Sequence, residues 1–203
     1  MKESPKLLKN IAILISGTGS NMEAIINDTQ KYDHPGNVKF VLSNRYDALG
    51  LLKAKKLGIK TFVIPVNKTY SLENFEEKLL KLLIKEKIDL VCLAGFMKVL
   101  SEKFLANFKG DILNIHPSIL PSLKGLKTHK RILEKKSKTH GATVHKVIPE
   151  LDSGKILGQT TIKIKKGDTP KKLAKNLIKR EHYLYLKVIR NIMVGKNKII
   201  QID

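Results

Sequence analysis

Two rhythms of hydrophobic and polar positions alternate along this chain. Short apolar runs rich in β-branched residues recur at residues 10–15, 38–42, 61–64, 89–93 and 111–115. Runs of that length read as strands buried on both faces. Stretches with helical spacing lie between them. The first opens with Ser20 or Asn21 as a capping residue and carries Met22, Ile25 and Ile26 on one face. The second covers residues 48–57 and stops at Gly58, a residue suited to the left-handed position past a helix end. The third, 71–87, aligns Phe75, Leu79, Leu82 and Leu83. This alternation predicts an α/β fold: a Rossmann-like, mainly parallel sheet with helices on both faces.

Toward the C-terminus the rhythm changes. Residues 139–147 and 155–165 read as paired strands around the turn-forming segment IPELDSG. A long basic helix follows, opened by Asp168-Thr169-Pro170, a capping residue ahead of Pro in the first turn. No repeat or Pro/Gly/Ser linker divides the chain, so 1–203 reads as one domain with a hairpin and a long helix in its C-terminal part.

Composition narrows the picture. The 203 residues are 42% hydrophobic, enough for a sizeable core. One Cys, at position 92, excludes an intramolecular disulfide and a Cys-rich zinc site, and its mid-strand place suits a small buried residue. His34, His129, His140, His145 and His182 show no metal-ligand spacing, so no metal is expected. The longest mostly apolar run, 90–97, is far too short for a membrane span, and the N-terminal MKESPKLLKN lacks the features of a signal peptide. A cytoplasmic location is the expectation.

The net charge of +21 raises the question of nucleic acid. All but four of the 39 basic residues are Lys, the exceptions being Arg45, Arg131, Arg180 and Arg190. Arg carries most bidentate phosphate and base recognition. The lysines are dispersed and Trp is absent. The charge therefore reads as decoration of solvated faces, with no specific nucleic-acid partner, although a positive field helps recruit a small anionic substrate.

Four constellations fall at or near carboxyl ends of predicted strands, where open α/β sheets bind ligands. In residues 16–21, SGTGSN, two glycines let backbone N–H groups approach an anion beside a helix start. The third glycine of a dinucleotide fingerprint is replaced by Met22 and the Lys of a P-loop is missing, leaving a generic phosphate site or a tight strand-to-helix turn. In NIHPSILP, Asn114 and His116 stand two apart on a strand and so share a face. The pair reads either as a His satisfied in a loop beside a rigid proline turn or as chemistry, since His moves protons near neutral pH and Asn donates to an oxyanion without titrating. Asp152, in ELDSG, reads either as a turn former or as a carboxylate that orients the His. The segment 93–100 leaves a strand and stays apolar, either a core edge or a pocket for a flat ligand.

The strings ISGTGSN (15–21), LAGFMKVLS (93–101), NIHPSILP (114–121), GATVH (141–145), ELDSG (150–154) and REH (180–182) occur together and in order. In this combination the chain resembles the phosphoribosylglycinamide formyltransferases, folate-dependent enzymes of purine biosynthesis, from about residue 10 to 193. The resemblance implies formyl transfer from 10-formyltetrahydrofolate, as co-substrate, to the glycinamide amine, with no metal. It implies a phosphate-binding half over about 10–110 and a catalytic, folate-binding half over about 111–193. By resemblance Asn114, His116 and Asp152 are catalytic, and Gly19, Ser20, Asn21 and Glu181 bind the ribonucleotide. Met97, Lys98, Val99, Leu100, Ile148, Glu150, Leu151 and Gly154 resemble the folate-binding residues. Lys98 and Leu72 stand where some members carry Arg. The expected partners are the two small substrates, with the chain a monomer or a homodimer.

Three other functions stay open. Methionyl-tRNA formyltransferase and formyltetrahydrofolate hydrolase share the core, and the SGTGSN loop favours a phosphorylated acceptor over water. A basic nucleic-acid-binding module on a formyltransferase-like shell is the reading from a different class.

Overall fold

A computed structural model describes residues 8–196 and 198–202. Most of the N-terminal segment read above for a signal peptide lies outside these residues. The chain divides into two compact units, the first ending at Ile112 and the second starting at Leu113.

In the first unit, β1 (Lys9–Ile15), β2 (Gly36–Ser43), β3 (Thr61–Val63) and β4 (Leu90–Leu93) pair in parallel in the order β3-β2-β1-β4. The helices are α1 (Ser20–Thr29), α2 (Leu49–Lys56), α3 (Leu72–Lys85) and α4 (Glu102–Asn107). Ile11, Ala12, Ile13, Leu14 and Ile15 are all fully buried, which explains why β1 has no polar alternation. Met22, Ile25 and Ile26 of α1 are buried as the spacing predicts, as are Phe75, Leu79 and Leu83 of α3, whereas Leu82 is only half-buried. Beyond α2, the N–H groups of Gly58 and Ile59 donate to Lys55 O and Ala54 O, both at 3.0 Å, and Gly58 takes φ 76°. This is a Schellman closure, available to Gly without steric cost.

The start of α1 departs from the expectation. Neither Ser20 nor Asn21 caps it; Ser20 is the first helical residue, and Gly19 stands before it at φ 72° with no side-chain cap. The chain enters the helix through a left-handed turn that only Gly adopts freely, so no side chain reaches back over the first turn.

The second unit holds β5 (Asp111–His116, which begins at the unit boundary), α5 (Thr128–Glu134), β6 (Thr139–Lys146), β7 (Ile156–Lys163), α6 (Pro170–Met193) and β8 (Ile200–Ile202). β5-β6-β7 is antiparallel and β7-β8 parallel. Taken over both units, pairing is mainly parallel. Thr169 caps α6 by accepting from Lys172 N, with Pro170 in the first turn. Leu173, Leu177, Leu184, Tyr185, Val188 and Ile189 form its buried stripe. The helix approaches β7 at Gly158, where a Cβ would stand 2.9 Å from Leu184 and 3.1 Å from Val188. Tyr185 Oη donates to Leu113 O at 3.0 Å, tying α6 to β5.

Three elements have no counterpart in the sequence pattern: α4, α5 and β8. Each spans three to seven residues. α4 depends on Ser101, whose Oγ accepts from Phe104 N at 3.1 Å and whose N–H donates to buried Glu76 at 2.6 Å. No helix among the described residues is long and apolar enough to cross a membrane.

His140 on β6 is 1% exposed, and its Nε2 lies 2.8 Å from Nδ1 of His129 on α5. Burial, then the neighbouring His129 and His116, push the His140 pKa down to about 4. An unfolded His titrates near 6.5, so the unfolded chain takes up the proton first. This stabilisation is complete above about pH 6.5 and is lost as pH falls toward 4. Thermal denaturation is expected to show Tm falling from pH 7 to 4.5, with His140→Gln flattening the fall; an equally steep fall in the variant would assign the acid limb to other groups.

Candidate functional site

In the first unit, a cavity of about 250 Å³ opens beyond the ends of β1 and β4. Residues 16–21 line it, together with Ala94, Gly95 and Met97. Ser16 joins its walls. Its N–H donates to Gly95 O at 3.1 Å, and its Oγ accepts from Met97 N at 2.8 Å while donating to Asn44 Oδ1 at 2.6 Å. Ser16 and Asn44 are both buried. The following turn is left-handed at Gly19, and α1 starts directly behind it. A helix start, whose first N–H groups have no acceptor within the helix itself, suits an anion at a cavity wall.

In the second unit, four polar side chains converge. The pleat of β5 puts Asn114 and His116 on one face, as alternation requires. Asp152 sits in the turn between β6 and β7 at φ 50°, a left-handed conformation that Asp tolerates better than most residues. Its side chain is 6% exposed. Oδ2 accepts from Gly125 N at 2.8 Å and faces His116 Nδ1 at 3.3 Å, while Oδ1 faces His145 Nε2 at 3.6 Å. His145 Nε2 also lies 3.3 Å from Asn114 Nδ2, and its Nδ1 lies 2.9 Å from Lys146 O. His116 Nε2 lies 3.0 Å from Leu123 O, so both ring nitrogens of His116 face oxygen acceptors. A protonated ring donates to both.

The Asp152 carboxyl lies below its usual range. Burial pushes it up, but the His145 hydrogen bond, the Gly125 N–H and the charges of His116 and His145 outweigh that push. The charged form is the favoured one, and the stability it brings is present above the ordinary carboxylate range and lost as pH falls through the lower folded value. Among the described residues, no group of three or more His, Cys, Asp or Glu side chains is placed to hold a metal ion.

A family model described as Formyl transferase matches residues 9–189. The chain belongs to the formyl transferase family. It is 38% identical over 190 residues to the phosphoribosylglycinamide formyltransferase of Escherichia coli, covering 94% of this chain and 90% of that one. The phosphoribosylglycinamide formyltransferase of Brucella melitensis superposes with a TM-score of 0.88 at 41% identity, covering 93% of this chain and 97% of that one. The trifunctional purine biosynthetic protein adenosine-3 of Gallus gallus is 40% identical over 185 residues. That match takes in 91% of this chain and only 18% of the longer protein's length.

This formyl transferase brings some of the residues singled out in its sequence together and leaves others apart. Asn114, His116 and Asp152 form one cluster, and Gly19, Ser20 and Asn21 share one cavity wall. Of 97–100, Met97 reaches that wall, Lys98 and Val99 are exposed, and Leu100 is buried. In the β6–β7 turn Glu150, Leu151 and Ile148 are exposed beside buried Asp152. Gly154 has a packing reason of its own, since a Cβ there would stand 1.8 Å from Lys146 O. Glu181 is buried on α6.

His145 is the residue that the sequence reading passed over. Its spacing in the chain speaks only against a metal ligand, whereas the β5–β6 register makes it the cross-strand partner of Asn114. Asn114 and His116 alternate on β5 and His145 lies on β6, so only the β5–β6 register aligns the three. Leu123 O and Gly125 N–H act through the backbone and leave no trace in residue type.

Ser16→Ala removes the acceptor of the Met97 N–H. The variant is expected to unfold with about 1–2 kcal/mol less stability in urea, the usual cost of orphaning a buried donor. Hydrogen exchange at the Met97 amide should accelerate with it; unchanged exchange would place the hold on the 94–97 segment elsewhere.

Proposed function

We propose that this chain transfers a formyl group from 10-formyltetrahydrofolate to the amine of phosphoribosylglycinamide, a step of purine biosynthesis. Family membership and the named single-function relatives support the reaction class. The observation that carries the mechanism is Asp152, a buried carboxylate facing His116 and His145, with Asn114 against the same His145.

In this reading the neutral amine attacks the formyl carbon and the carbonyl oxygen takes the negative charge. Asn114 Nδ2 lies beside His145 Nε2 and donates to the oxyanion. Protonated His116 supplies a second donor, from the Nε2 edge that Leu123 O occupies in this structure. The oxyanion takes the place of that carbonyl. Asp152 holds the charged ring through Nδ1. As the C–N bond to the folate breaks, the proton released by the amine passes to the departing folate nitrogen, with His116 and Asp152 as the relay. The glycine-rich loop with Gly19, Ser20 and Asn21 takes the phosphate of the acceptor, and Glu181 accepts from its ribose hydroxyls. Residues 97–100 and the turn from Ile148 to Gly154 hold the folate. A positive field from the +21 charge draws in both anionic substrates.

An absorbance assay of formyl-folate consumption tests this. Turnover is expected to require glycinamide ribonucleotide. His116→Ala and Asp152→Asn should each lower kcat by about 100- to 10,000-fold, the range of a lost acid–base or electrostatic group, with native circular dichroism retained. Turnover without the ribonucleotide would identify a hydrolase instead, and full activity in His116→Ala would remove that ring from the chemistry.

A further inference from the structure

The glycine-rich loop is shaped from behind by a residue that does not line the cavity. Gly50, in the first turn of α2, donates its N–H to Gly17 O at 3.0 Å. A first-turn N–H has no acceptor within its own helix, so this bond satisfies it. It also commits the Gly17 carbonyl to α2. An anion site must offer N–H groups and keep carbonyl oxygens occupied elsewhere, because an oxygen facing a phosphate repels it.

Where Gly50 and Gly19 meet, neither has room for a side chain. A Cβ on Gly50 would stand 3.2 Å from Gly17 O and 3.2 Å from Gly19 Cα, both backbone atoms, and 2.5 Å from Ile15 Cδ1. A Cβ on Gly19 would stand 2.9 Å from Gly50 Cα, on a residue already at φ 72°. The left-handed turn at Gly19 and the seat of α2 are therefore one contact, backbone against backbone.

We propose that Gly50 is a positioning residue for the acceptor: its backbone holds the 17–19 loop in the shape that accepts a phosphate monoester. A side chain at 50 weakens acceptor binding and leaves the formyl-transfer step alone. The proposal rests on the phosphate reading of this loop given above.

Gly50→Ala alone mixes two effects, since the added methyl meets Ile15 in the core as well as the loop. Ile15→Val removes the colliding Cδ1, so the double variant Ile15→Val/Gly50→Ala isolates the push on the loop. Steady-state kinetics with both substrates, together with calorimetric titration of ribose 5-phosphate, would be run on wild type, Ile15→Val and both Gly50 variants. In the double variant, KM for glycinamide ribonucleotide and Kd for ribose 5-phosphate are expected to rise about tenfold, with kcat and KM for the folate within about twofold. Ile15→Val should match wild type. A merely structural role would lower Tm and kcat without this split.

Wild-type affinity for ribose 5-phosphate in the double variant would overturn the proposal, as would a fall in kcat at unchanged acceptor KM. Failure of ribose 5-phosphate to bind wild type would overturn it too. If Gly50→Ala does not fold, the double variant decides. If wild type consumes formyl folate without the ribonucleotide, the reaction assignment fails, and the sugar-phosphate titration still decides the role of Gly50.

Discussion

A carboxylate taken out of water needs compensation, and the second unit is arranged to supply it to Asp152. Burial penalises the charge, and an uncompensated buried carboxylate would simply protonate. One oxygen receives the Gly125 N–H and faces His116, and the other faces His145. These partners come from β5, β6 and the segment after β5, so the charge is stable only when the β5–β6 register and the 118–127 segment are both in place. The left-handed backbone of Asp152 and the side-chain-free contact of Gly154 with Lys146 O hold the turn that delivers it. Charge, register and turn are one constraint.

The loop proposed to take the phosphate, in the first unit, is shaped by the opposite route, chiefly through its backbone. It carries no cationic side chain between residues 16 and 21. What it has is close approach: Gly19 against Gly50, and Gly17 O committed to Gly50 N–H. Ser16 then ties the same loop to Gly95 and Met97 with two hydrogen bonds. A dispersed Lys composition can supply long-range attraction to an anion, and in the proposed site local recognition rests on backbone geometry.

Much of this was legible in residue order. β1 from Ile11 onward and all of β4 are apolar because both faces are covered, and α3 and α6 show helical spacing because each buries one stripe. Thr169-Pro170 marked the start of α6. The cap of α1 is not legible in residue type, because Ser20 and Asn21 are good capping residues while Gly19 already turns the chain into the helix. α4, α5 and β8 were invisible because a few residues cannot show a period; they form where Ser101 meets Glu76, where Lys127 turns left-handed, and where β7 offers an edge.

Asn114 and His116 share a face by the period of the strand, and that much the sequence determined by itself, along with the glycines of the 16–21 loop and the α/β alternation. Whether Asp152 meets His116 was decided by the tertiary structure. The two lie thirty-odd residues apart in the chain, and nothing in local propensity sets the register of β5 on β6 or the path of the turn. The same holds for His145, Leu123 and Gly50. Each acts through a neighbour brought by folding, by cross-strand pairing or by backbone contact, and contacts of that kind have no periodic signature because they depend on distance in space rather than order along the chain.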